Sequence, residues 1–146
     1  MKNPIVYSLL AIAVGALIGI GGFTFWYARG YSYLSDDPKA CVNCHIMRDN
    51  FDSWIVSSHR TVTCNDCHTA HDVFGKYLTK LRNGVHHSVA FTFREVQVPR
   101  TTQTSLDIIQ KNCLRCHEPM VGMLFQAQEL KTMRCTQCHL TGGHVF

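Results

Sequence analysis

Cys41-Val42-Asn43-Cys44-His45 is the first of four copies of one pattern, C-x-x-C-H. The others are Cys64-Asn65-Asp66-Cys67-His68, Cys113-Leu114-Arg115-Cys116-His117 and Cys135-Thr136-Gln137-Cys138-His139. All eight cysteines of the 146-residue chain lie in these copies, and four of its nine histidines close them. An even cysteine count would ordinarily point to disulfides, and CxxC pairs also build zinc sites. Neither reading predicts a histidine after every second cysteine. C-x-x-C-H is the attachment motif for c-type haem, in which both thiols bond the porphyrin edge and the adjoining imidazole reaches the iron. The pattern predicts four covalent haems c on Cys41, Cys44, Cys64, Cys67, Cys113, Cys116, Cys135 and Cys138. Their proximal iron ligands are His45, His68, His117 and His139.

Working outward from the motifs, four haems must share the 118 residues that follow Ala28. That is about 30 residues per haem, too few for an ordinary side-chain core. The expected fold is mainly α with little regular structure, a small multihaem domain of short helices and loops wrapped round its porphyrins. The motifs start at 41, 64, 113 and 135, two short gaps around a long one. This spacing predicts two dihaem units, about 41–71 and 113–144, within a domain spanning 30–146. A helix over about 72–96 joins them, because Phe74, Leu78, Leu81, Val85 and Val89 recur at helical spacing. Pro99 and the polar run Thr101–Ser105 are expected to end it as a linker. Leu106–Cys116 and Met120–Met133 read as short helices carrying the last two haems.

Toward the amino terminus, Pro4 to Ala28 (PIVYSLLAIAVGALIGIGGFTFWYA) contains no charged residue. Such a stretch is long enough to cross a bilayer as a helix, and Phe23, Phe25, Trp26 and Tyr27 suit an interfacial belt at its far end. A cleaved signal peptide would have a shorter apolar region and a small-residue cleavage site. Residues 1–29 are therefore read as an uncleaved single-pass anchor. Gly15 and Gly19 form a GxxxG pair that can pack against another helix. Lys2 favours an amino terminus in the cytoplasm, with the haem domain exported to the periplasm. Composition excludes a disordered tail, a collagen-like fibre and a coiled coil. Neither export nor motif supports a nucleic-acid partner, and the net charge of +4 counts no haem propionates, so it carries no steering argument.

Five histidines remain outside the motifs: His59, His71, His86, His87 and His144. Beside four irons they become candidate distal ligands, with His59, His71 and His144 foremost. The first motif continues through Ile46 to Met47, whose thioether can serve the first iron or pack on the porphyrin; Met47 and His45 compete for that role.

One amino-terminal anchor followed by four CxxCH motifs resembles the NapC/NirT family of membrane-anchored tetrahaem cytochromes c. The CxxCHxM form of the first motif and the short chain are most similar to the small quinol-dehydrogenase subunit (NrfH type) of cytochrome c nitrite reductase. The resemblance covers essentially the whole chain, although relatives serve other periplasmic reductases. It implies a complex in the inner membrane, in contact with lipid and the quinone pool. There menaquinol is oxidised, and electrons pass to a periplasmic multihaem catalytic subunit that reduces nitrite to ammonia. It also implies that Met47 ligates the first iron. Some members have a carboxylate at the open side of this haem, where this chain places His86-His87; His87 either ligates the iron or accepts a proton.

The residues themselves point to the same end of the domain. The first motif begins twelve residues after Arg29, so a lipid-borne reductant meets its haem first. Quinol oxidation releases two electrons and two protons and needs acceptors for both. Lys80 and His87 are two helical turns apart on one face, with Lys76 and Gly84 near them. Lys80 is expected to orient the quinol oxygen, a role the resemblance also implies, and His87 or Asp49 to take the proton. The bland alternative is a solvated basic face of Lys76, Lys80 and Arg82. Rival functions are a quinol dehydrogenase for another reductase, such as one acting on nitrate, a plain anchored carrier without a quinol site, and a reductase in its own right.

Overall fold

The structure, a computed structural model, describes residues 3–93 and 101–144. Its Cα trace divides into two units, one ending at Ser35 and the other beginning at Asp36.

In the first unit, helix α1 runs from Pro4 to Tyr27. Asn3 caps it by accepting a hydrogen bond from Ile5 N at 3.1 Å, and Pro4 suits the first turn, where no backbone donor is needed. Its mean hydropathy is 2.2 and all 24 residues are exposed. At about 36 Å it is long and apolar enough to cross a bilayer. Arg29 ends it in the left-handed region (φ 52°), donating its N–H to Trp26 O at 3.0 Å. Glycine follows because a Cβ at position 30 would strike the Phe25 ring. A 3-10 turn, Gly30–Leu34, then sets the Tyr31 ring 5.6 Å from Trp26.

The second unit is helical, with no strand among the described residues. It contains α2 (Pro38–Cys41), a 3-10 turn (His45–Met47), α3 (Arg48–Ile55), α4 (Cys64–His68) and α5 (Val73–Phe93). After these come α6 (Gln103–Val121), α7 (Ala127–Thr132) and α8 (Cys135–Cys138). The first motif starts at the last residue of α2, the second is α4, the third occupies the later turns of α6, and the fourth opens as α8. Among the described residues no apolar side chain is buried; the buried ones are Ser53, Ser57, Thr69, Lys80 and Asn112. The α5 stripe is present but uncovered by other side chains, with Phe74 90% exposed.

Polar side chains hold the unit together instead. Asn112 on α6 donates from Nδ2 to Cys67 O (3.0 Å) and Thr69 O (2.8 Å), clamping the end of the second motif. Two residues earlier on the same helix, Gln110 donates to Met133 O (3.1 Å) and accepts from Cys135 N (2.8 Å). Asp107 pairs with Arg134 at 2.6 Å. Helix α6 thus carries the third motif and grips the second and fourth.

Two boundaries differ from expectation, and a third falls partly outside the described residues. The linking helix is described as far as Phe93; positions 94–96 and Pro99 lie outside the described residues. The polar run is not all linker, because Thr102 caps α6 by accepting from Ser105 N at 3.2 Å, so Gln103–Ser105 are helical. Met120–Met133 is not one helix. Met120 and Val121 finish α6, whose Pro119 has no N–H to donate and so weakens the helix just before it ends. Gly122 N–H then bonds Glu118 O at 2.8 Å, and α7 restarts at a Gln126–Glu129 capping box.

Candidate functional site

The first two motifs are pinned by side chains within or next to them. Asp37 caps α2 through Lys39 N at 2.9 Å and so fixes the approach to Cys41. Thr63 and Asp66 form a capping box around α4: Asp66 Oδ2 accepts from Thr63 N and Thr63 Oγ1, both at 2.8 Å. The Thr63 hydroxyl and backbone hold the Asp66 carboxyl below its usual range, against the opposing effect of burial, which is the largest single influence. Asp66 stands between the cysteines of its motif, so the variable positions of C-x-x-C do structural duty here.

Two of the five extra histidines meet motif histidines. His59 faces His117 with ring centroids 6.0 Å apart, and His144 faces His68 at 6.1 Å. Imidazoles on opposite sides of one metal, with metal–nitrogen bonds of about 2.0–2.1 Å, place their centroids about 6 Å apart. His144 Nδ1 lies 2.9 Å from Asn50 O and 3.3 Å from Ser53 Oγ. A carbonyl can only accept, so Nδ1 carries the proton and Nε2 keeps its lone pair for a metal. His59 Nδ1 meets Ser58 Oγ at 3.2 Å, and Trp54 Nε1 fixes the His59 backbone by donating to its carbonyl at 3.1 Å. His71 is turned the other way, with Nε2 3.4 Å from Asp66 O. His45 and His139 are exposed, and Met47 is half-buried.

This donor set fits haem c. Every motif offers two thiols and an imidazole, and two of them have a second imidazole at metal-spanning distance. Arg134, next to the fourth motif, holds Nη1 buried with no hydrogen-bond partner among the described residues, a donor suited to a propionate.

Lys80 is not part of a solvated face. It is 8% exposed on α5, donates to Asp36 Oδ1 at 3.1 Å, and has its Nζ 5.9 Å from the Tyr77 ring centroid. Lys76, one turn earlier, donates to Asp36 Oδ2 at 2.5 Å, and Asn65 Nδ2 donates to Oδ1 at 2.7 Å. The two lysines hold the Asp36 carboxyl down at about 2. The carboxylate at Lys80 is thus Asp36, whereas Asp49 sits in the exposed first turn of α3. Nothing in periodicity or motif marks Asp36; its place, two residues before Pro38 at the start of the domain, is the only hint the sequence contains. His87 lies two turns beyond Lys80, and desolvation of its ring, with His86 beside it, lowers its affinity for a proton below the usual range.

Residues 2–142 match the NapC/NirT cytochrome c family, N-terminal region. The chain is 31% identical to cytochrome c-type protein NrfH of Wolinella succinogenes, over 96% of this chain and 86% of that one. It is 27% identical to cytochrome c nitrite reductase subunit NrfH of Nitratidesulfovibrio vulgaris, over 90% and 80%. It is 32% identical to cytochrome c-type protein NapC of Escherichia coli, over 94% and 84%. The fold is similar to a chain in the crystal structure of the cytochrome c nitrite reductase NrfHA complex bound to the HQNO inhibitor. The TM-score there is 0.63 at 22% identity, over 90% of this chain and 88% of that one. With four haem-attachment motifs behind one apolar helix, and with this match across nearly its whole length, the chain belongs to the NapC/NirT cytochrome c family.

Proposed function

We propose that the protein is a membrane-anchored tetrahaem cytochrome c that oxidises menaquinol and passes the electrons to the periplasmic catalytic subunit of a cytochrome c nitrite reductase. The likeness to two NrfH proteins supports the partner. The observation that carries quinol oxidation is Lys80, a buried cation on the helix that follows the second motif. Burying an ammonium is costly unless it is paired, and Asp36 pairs this one on the helix that also carries His87. The ammonium is the cation proposed to orient the quinol oxygen. Oxidation breaks two O–H bonds and yields two electrons and two protons. When bound, the haems supply one-electron redox chemistry. The protons go to His87, whose depressed affinity keeps it neutral and ready to accept, or to Asp49. Among the iron ligands we assign the pairs His59/His117 and His68/His144, with His45 or Met47 at the first motif, and His71 or His87 serving positions the ring contacts do not cover.

Menadiol-driven haem reduction in detergent tests the site. Lys80→Ala and His87→Ala each lower the rate roughly tenfold or more while dithionite still reduces every haem. Wild-type rates in both variants would overturn the quinol site and leave a plain carrier. Nitrite turnover by the purified protein alone would favour a reductase in its own right. The NapC likeness gives the second reading of the partner, a reductase acting on another substrate such as nitrate; co-purification from membranes identifies which catalytic subunit is bound.

A further inference from the structure

Helix α5 has one face turned into the domain and another turned out. Lys76 and Lys80 reach the Asp36 carboxylate, and Lys80 is buried there. At about 100° per residue, Gly84 and His87 fall within about 40° of Lys80 around the helix. Phe74, Leu78, Leu81, Val85 and Val89 fall on an arc centred about 140° from it. These five are between 42% and 90% exposed, so the described residues leave their outer side open. A porphyrin on the Lys80 side does not reach them, because the helix backbone stands between. The stripe is about 22 Å long at about 1.5 Å per residue.

We propose that this outer face lies in the interfacial layer of the bilayer that α1 crosses, with its apolar side chains among the upper acyl chains. The proposal rests on α1 as a membrane anchor, not on the quinol role of Lys80. Three features favour lipid over a protein partner. Asp36 follows Tyr27 by nine residues, so chain length alone keeps it, and the lysines it holds, within about 30 Å of the end of α1. Helix α5 contains Lys76, Lys80 and Arg82 and no carboxylate, and Asp36 offsets only one of these charges. That is the sign anionic headgroups attract. Arg82 is exposed about 60° from the centre of the stripe, so its stem can lie along the apolar side chains while its guanidinium meets headgroups. Finally, exposed aromatic rings stand at both ends of the helix, Phe74 and Tyr77 at the start and Phe91 and Phe93 at the finish. Helices that lie in the plane of the interface pair such rings with a basic face. Laid flat, α5 sets Lys80 and His87 about one helix diameter, about 10 Å, from the acyl layer.

The test places single nitroxide labels on the full-length haem-loaded protein in nanodiscs of phosphatidylethanolamine and phosphatidylglycerol. Leu81→Cys reports the stripe, Asp52→Cys an exposed polar site on α3, and Ile12→Cys the middle of α1. Power-saturation resonance compares collisions with oxygen, which concentrates in lipid, and with a nickel chelate, which stays in water. The oxygen-to-nickel ratio at residue 81 should exceed that at residue 52 about threefold or more and approach that at residue 12. Equal ratios at 81 and 52, with residue 12 in lipid, overturn the proposal and leave the anchor standing. A water-like ratio at residue 12 overturns the anchor reading, and the proposal with it. Rare collisions with both reagents at residue 81 also overturn the proposal, because protein or porphyrin then covers the stripe. In that case a doubled mass in detergent identifies a second copy, and a shifted haem spectrum identifies a porphyrin. Should Leu81→Cys fail to load haem, Val85→Cys, on the same arc, decides by the same criteria.

Discussion

The second, third and fourth motifs and the first are held in different ways. Motifs two to four converge on α6. One of them is part of that helix, and the other two are tied to it mainly by the amides of Asn112 and Gln110, with an Asp107–Arg134 ion pair beside them. The first motif sits beside ties of another kind. The Asp37 cap precedes it, and the neighbouring Asp36 carboxylate joins two lysines and the Asn65 amide. Neutral amide bonds to backbone carbonyls are short, local and insensitive to pH and salt. Ion pairs respond to both. The part of the domain that only has to hold haems at fixed separations is built from the first kind. The part proposed to meet quinol and handle protons relies chiefly on the second.

The sharpest way to break this contrast is to remove an iron ligand from the α6 group. His144→Ala leaves His68 without its facing imidazole, while the Asn112 clamp on the same motif is untouched. The haem of the second motif should become high-spin by absorption and paramagnetic resonance spectroscopy, with the rest of the spectrum unchanged. A wild-type spectrum would remove the His68/His144 pair. The next largest effect comes from Asn112→Ala. Asn112 is 7% exposed and satisfies two carbonyls, so its loss strands both. The expected cost is about 2–4 kcal/mol in denaturant unfolding followed by haem absorbance. A cost below about 0.5 kcal/mol would show that α6 does not splint the second motif.

Where sequence and structure agree, the signal was a pattern long enough to repeat. The uncharged run predicts an anchor over residues 1–29, and α1 occupies Pro4–Tyr27. The stripe from Phe74 to Val89 lies on α5. The four C-x-x-C-H copies carry the family. What could not be read was local and polar. Thr102 looks like part of a linker until its hydroxyl is seen to cap α6. Asp66 looks like filler between two cysteines, yet caps α4. Asp36 lies 29 residues from Asn65 and 40 to 44 from the lysines, separations at which no periodicity operates. His144 and Asn50 meet across 94 positions. In an ordinary domain, burial patterns flag such contacts indirectly. Here no described apolar side chain is buried, so that guide is missing.

The smallest effect in this series sharpens the contrast between amide and ionic ties. Asp36 has its carboxyl depressed from an ordinary 3.8 to about 2 by Lys76 first and Lys80 next. A group whose folded value is lowered stabilises the fold fully above its unfolded value and loses that contribution as pH falls through the folded one. The Asp36 contribution is therefore complete above about pH 4 and disappears as the pH approaches about 2. Because the carboxylate is half exposed, solvent and salt screen it, and the contribution is small. Asp36→Asn should flatten stability across this window without changing it above pH 5 by more than the loss of the ion pairs, and added salt should mimic the substitution. Asn112→Ala should shift stability equally at every pH, because amides do not titrate. If Asp36→Asn and wild type lose stability in parallel between pH 4 and 2, the first motif is not tied down by charge, and the two regions are held alike.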